Sequence, residues 1–189
     1  MAENRLIKSI FLLGNPNAVP HRLAAPAALD DLLLYRLNRL LATAGSMVVR
    51  LCEGRFGITR REWRVLALLA RHPGLISSQL AERAQLDRAR TSRAVTSLVA
   101  KRLLMREPGP ADRRQAHLAL TQAGQALYDE LFPLVAAINR ELLASLDAAQ
   151  LDALDAGLQR MQSRAEAMAA AAVLPKADRR RGRARRIMG

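Results

Sequence analysis

From Arg88 to Arg102 the chain carries arginine at 88, 90, 93 and 102, lysine at 101, and hydroxyls at Thr91, Ser92, Thr96 and Ser97, with no acid in the run. A guanidinium is a planar fork of donors that matches the two acceptors of guanine in a major groove, and Ser and Thr hydroxyls can donate to bases or phosphates. Ordinary solvated helix faces mix Glu with Lys and Arg, gaining i,i+4 pairs. This one does not. Placed on a helix, Thr91, Ala94, Val95 and Leu98 share one side. Arg90, Arg93 and Ser97, flanked by Ala89 and Thr96, share the other. The expected contacts to double-stranded DNA on this helix are Arg88, Arg90, Ser92, Arg93, Thr96 and Ser97, with Arg90 and Arg93 reading bases.

A second basic cluster follows at Asp112-Arg113-Arg114. It lies at the tip of a Gly/Pro turn between two short strand-like runs, Leu104–Glu107 and Gln115–Leu120, where a hairpin wing could place arginine in a minor groove. Asp112 would repel phosphate, so its expected task is to hold the Arg114 guanidinium by a charge-assisted pair. Ser77, Ser78, Gln79 and Lys101 are expected phosphate contacts, which position a protein without reading sequence.

These residues need a scaffold, and the periodicity supplies one. Leu29, Leu33, Leu37, Leu40, Ala44, Val48 and Leu51 give an apolar face to a first helix, ended by Gly54 and Gly57. Thr59-Arg60-Arg61-Glu62 reads as a capping box for a second helix, stopped by His72-Pro73-Gly74. A third, short helix starts at Ser77 or Ser78. Asp87 caps a fourth that reaches about Leu103. Ser77 to Ala94 therefore fits a helix-turn-helix, with small Ala81 at the joint and Gln85 where glycine is common. Thr121 caps a fifth helix, in which Pro133 is expected to cause a kink. Asp147 and Gln150 begin a sixth.

The charge is uneven. The 189 residues carry +13, of which 60–120 hold +8 and 176–189 hold +6, while 121–175 hold −4. The basic middle suits a polyanion partner. With 27 Arg against 3 Lys, part of the excess is simple arginine abundance, but that does not explain why the acidic surplus is confined to 121–175. One Cys, Cys52, excludes an intrachain disulfide, and its place at the end of the first helix suits a buried thiol. His21, His72 and His117 lack metal-ligand spacing, so no metal or cofactor is expected. No HExxH, P-loop or GxSxG pattern appears. No apolar run is long enough to span a membrane, no secretory leader is read at the start, and a cytoplasmic location is expected.

From about Leu29 to Met168 the chain resembles MarR-family transcriptional regulators. The carriers are Ile58-Thr59-Arg60-Arg61-Glu62-Trp63-Arg64-Val65-Leu66, the run from Leu86-Asp87-Arg88 to Leu98, and Asp112-Arg113-Arg114 followed by Leu118-Ala119-Leu120-Thr121-Gln122-Ala123-Gly124. The resemblance implies a mainly α fold with a small β-wing: a winged helix-turn-helix plus dimerisation helices. It also implies a homodimeric, ligand-responsive repressor on an inverted-repeat operator. The effector it implies is an aromatic or phenolic acid or its thioester, bound between the dimer helices and the winged domain, where Arg36 and Arg39 could take a carboxylate and Trp63 a ring. Similar sequences often have glycine where Arg102 stands, and if the backbone there is left-handed, arginine costs about 1 kcal/mol or more.

The expected organisation is an irregular arm (1–28), a dimerisation helix (29–57), the winged helix-turn-helix (58–120), further dimerisation helices (121–172) and a basic tail (173–189). Dimerisation also follows from the apolar stripes of the first and last helices, which one small winged domain cannot cover. Two alternatives stay open. A winged-helix module could meet an acidic protein through the same arginines. A small enzyme is disfavoured, because no nucleophile, base and orienting group come together in the pattern.

Overall fold

The computed structural model describes residues 21–108 and 116–172. Residues 20–145 make one compact unit, and residues 146–172 belong to a second. The first unit holds α1 (Leu33–Gly54), α2 (Arg60–Arg71), β1 (Leu75–Ile76), α3 (Ser77–Ala84), α4 (Arg88–Ala100), β2 (Leu104–Pro108), β3 (Ala116–Leu120) and α5 (Gln122–Leu143). The second holds α6 (Ala148–Ala171). The described structure is mainly α, with one small antiparallel sheet ordered β1-β3-β2.

Side-chain caps fix most helix starts. Thr59 Oγ1 accepts from Glu62 N at 3.2 Å while Glu62 Oε2 accepts from Thr59 N at 2.6 Å, the reciprocal box read from the sequence. Asp87 and Thr121 cap α4 and α5 through Arg90 N and Gly124 N. Asp147 and Gln150 form the box that opens α6. Gly124 packs so closely under β2 that a Cβ there would collide with the Leu103 carbonyl.

Three expectations change. The first helix starts at Leu33, not Leu29. Leu29–Asp31 is a separate 3-10 turn, because the Asp31 carboxylate accepts from Ala27 N and Ala28 N and closes the chain locally. The fourth helix ends at Ala100, because Arg102 adopts φ +59 and cannot continue it. The sheet has a third strand, β1, only two residues long. It pairs antiparallel with β3 (Leu75 opposite Leu118, Ile76 opposite His117). Pro133 lies inside α5, which runs continuously from Gln122 to Leu143.

The core gathers Ile58, Val65, Leu66 and Leu69 with Leu80, Val95, Leu98, Leu104, Leu118 and Leu131, so α2, α3, α4, the sheet and α5 share one apolar centre. Cys52 is fully buried in it, and Val48 and Leu51 join its edge. Burial pushes the Cys52 thiol up from its ordinary range, with the nearby Glu53 charge adding to the effect. It is a protonated core side chain. The N-terminal half of α1 is different: Leu34 is 79% exposed, and Leu37, Leu40 and Leu41 are also open. Among the described residues, no helix is long and apolar enough to cross a membrane.

Candidate nucleic-acid interface

α3 and α4 meet through the turn Gln85-Leu86-Asp87, with Ala81 and Ala84 buried at the joint. Gln85 is left-handed at φ 50. Its amide bonds Glu82 O and that of Leu86 bonds Ala81 O, the paired hydrogen bonds of a Schellman ending. α4 ends the same way: Arg102 N bonds Val99 O and Leu103 N bonds Leu98 O. α4 thus lies between two left-handed joints, neither made of glycine.

Along α4, Thr91, Ala94, Val95 and Leu98 are buried, as their spacing predicts. Arg88, Ala89, Arg90, Ser92, Arg93 and Thr96 are exposed. Arg90 is also tethered: its Nε lies 3.0 Å from Asp87 Oδ2, within the same turn that Asp87 caps. This exposed pair adds little stability. It does orient the guanidinium. Ser77, Ser78 and Gln79 are exposed at the start of α3, where Gln79 Oε1 accepts from Ile76 N at 3.2 Å. A cleft of about 410 Å3, lined by Ser78, Gln79, Glu82, Leu86, Asp87 and Arg88, separates that helix start from the start of α4.

Two sequence-read contacts sit elsewhere. Ser97 is half-buried, on the side of α4 that faces the Glu62 carboxylate. Lys101 does not reach outward: Nζ lies 2.8 Å from Gly57 O and 2.9 and 3.0 Å from the two Glu62 oxygens. The physical reason is that Ser97 and Lys101, four residues apart, stack on the side of α4 that turns toward α2. Glu62, 2% exposed, gathers both. Burial raises its pKa, but the hydrogen bonds from Ser97, the Thr59 amide and Lys101, with the Lys101 charge, outweigh that and leave it below the ordinary value. The sequence signals Glu62 as a cap residue only. A lone acid facing Lys101 across an acid-poor region was the cue to its second role.

Asp112, Arg113 and Arg114 lie outside the described residues. The two strands on either side in the sequence are in register from Leu104 opposite Leu120 to Pro108 opposite Ala116. The base of this hairpin is pinned to the loop before β1. His117 Nδ1 lies 2.6 Å from Gly74 O. Since a carbonyl only accepts, Nδ1 is the donor. Gly74 sits at φ +82, where glycine is needed.

The three residues expected at an effector site have different surroundings among the described residues. Trp63 is buried and stacks on Tyr128 at 5.8 Å, and Tyr128 meets Phe132 at 5.3 Å. Arg39 lies on exposed α1, paired with Asp30 at 2.9 Å and over the Tyr35 ring at 5.9 Å. Arg36 is exposed nearby on the same helix. Sequence reading also missed Arg64, whose Nη1 donates to the terminal Ala84 carbonyl of α3 at 2.9 Å and so ties α2 to the joint.

Residues 56–115 match the family model described as the MarR family. The homoprotocatechuate degradative operon repressor of Escherichia coli is 28% identical over 100 residues, covering 53% of this chain and 68% of that protein. Among solved structures, a MarR-family transcriptional regulator from Silicibacter pomeroyi superposes with a TM-score of 0.65 at 27% identity, covering 74% of this chain and 94% of its own. The PcaV transcriptional regulator of Streptomyces coelicolor, in complex with its natural ligand, gives 0.61 at 26% identity, covering 78% and 99%.

Proposed function

We propose that this chain, which is similar to MarR-family regulators over residues 56–115, is a homodimeric, ligand-responsive repressor that binds an inverted-repeat operator through a winged helix-turn-helix and is not an enzyme. The observation that carries the reading is the outward face of α4. Arg88, Arg90, Ser92, Arg93 and Thr96 are exposed together with no acid among them. Arg90 and Arg93 read bases in the major groove, Ser77, Ser78 and Gln79 hold phosphates, and Arg113 and Arg114, with Asp112 beside them, enter the adjacent minor groove. The resemblance to an operon repressor supports repression over activation.

Residues 58–120 form the DNA-binding part in this reading, and 29–57 with 121–172 form the dimer contacts. Support for the dimer comes from apolar side chains left open on α1 and, separately, on α6, where Leu154, Leu158 and Met161 are exposed. In a two-fold dimer two copies of α4 meet successive major grooves about 34–36 Å apart. The effector is a small aromatic or phenolic acid or its thioester. Support comes from the relative that represses a homoprotocatechuate operon and from the ligand-bound PcaV structure. Arg36 and Arg39 supply the cation for its carboxylate. Trp63 joins only where Tyr128 gives up its stacking place.

The test is a salt titration on two probes: a random duplex, and a duplex selected from a random library by the protein itself. Binding to the random duplex falls steeply with salt, and the selected duplex competes at least about a thousandfold better. A flat salt response with no preferred sequence rejects the reading and favours an acidic protein partner.

A further inference from the structure

The Glu62–Lys101 pair joins three elements that the proposed function requires to move or act together. Lys101 closes α4. Glu62 sits in the first turn of α2. Gly57, whose carbonyl takes the third Lys101 bond, is in the connection leaving α1. Ser97, one turn earlier on α4, is half-buried and faces the same carboxylate. The three bonds from Lys101 Nζ, two to Glu62 and one to Gly57 O, hold the end of α4 against α2 and the chain leaving α1, and Arg93 lies about two turns before Lys101. From this geometry we propose that Glu62 and Lys101 are positioning residues that aim the recognition helix, linking its roll to the end of α1, and that Lys101 is not a phosphate ligand.

The inference rests on the DNA-binding reading above and adds a prediction that charge alone would reverse. Glu62→Gln removes an acid from a polyanion binder, so simple electrostatics would tighten binding and free Lys101 to meet phosphate. If the carboxylate instead aims α4, the same substitution weakens recognition. Gln is the other residue that a capping box accepts at this position, so the α2 start is kept and the variant folds.

The experiment compares wild type, Glu62→Gln and Lys101→Met on the selected and random duplexes across a salt series, below the melting temperature of each. The expected result for Glu62→Gln is a loss of about tenfold in the selected-to-random ratio, the size of one misplaced base contact, with random binding unchanged or tighter. Lys101→Met keeps the wild-type salt slope on random DNA while its ratio falls as well. An unchanged ratio in Glu62→Gln overturns the proposal, as does a salt slope smaller by about one in Lys101→Met, which is the mark of a lost phosphate contact. A merely structural pair would lower the melting temperature and leave the ratio intact. Wild type that selects no sequence removes the DNA-binding reading, a result distinct from either variant outcome.

Discussion

Gln85 and Arg102 hold φ of 50 and 59, a conformation in which a Cβ crowds its own carbonyl. Both sit at Schellman endings where glycine is the unstrained choice. Arg102→Gly is expected to raise unfolding stability by about 1 kcal/mol, read as a shift in urea midpoint at constant m. The exposed Arg102 side chain has no bond among the described contacts that would oppose this gain. Glu62 makes the matching prediction for pH. Its folded pKa is depressed, so its stabilisation is complete above the unfolded carboxylate pKa and is lost as pH falls through the lower, folded value. Melting temperature followed downward from neutral pH should therefore decline more steeply for wild type than for Glu62→Gln. Parallel curves would show that the carboxylate contributes no such linkage.

The starts of α2, α4, α5 and α6 were legible where the signal is local. Thr59 with Glu62, Asp87, Thr121 and Asp147 each announce a helix start by side-chain chemistry, and each makes its cap. The inner face of α4 followed from spacing. Its flanks did not: Ser97 and Lys101 border the outward side by periodicity, yet Ser97 is half-buried and an acid on the neighbouring helix draws Lys101 inward. β1 was illegible for a similar reason. Two residues carry no alternation, and only β3 makes Leu75–Ile76 a strand. The surroundings of Trp63 were illegible at longer range, since the sequence could place a tryptophan on α2 but not Tyr128 against it. For the exposed face itself, Arg93→Ala is expected to cost about 1–3 kcal/mol on a selected duplex while changing random-duplex affinity far less. Equal losses on both probes would make Arg93 a phosphate contact.

Across the whole chain, the net +8 of residues 60–120 and the −4 of residues 121–175 divide polyanion attraction from the helices proposed to dimerise. If, as proposed, a second copy covers the open apolar α1 face, thermal stability should rise with protein concentration. Leu34→Glu should abolish that dependence and shift the protein to a monomer in sedimentation, with selected-duplex binding lost. A concentration-independent melting temperature in wild type would contradict the dimer.

The chain holds a single indole, and Trp63 rests its ring on Tyr128 of α5 while belonging to the helix that carries Glu62. Any event that slides α2 along α5 must alter the stacking of that ring, and with it the colour and yield of its ultraviolet emission. The protein therefore contains its own optical gauge: titrating candidate inducers, or duplex, and watching one fluorophore reports rearrangement at this contact without any label.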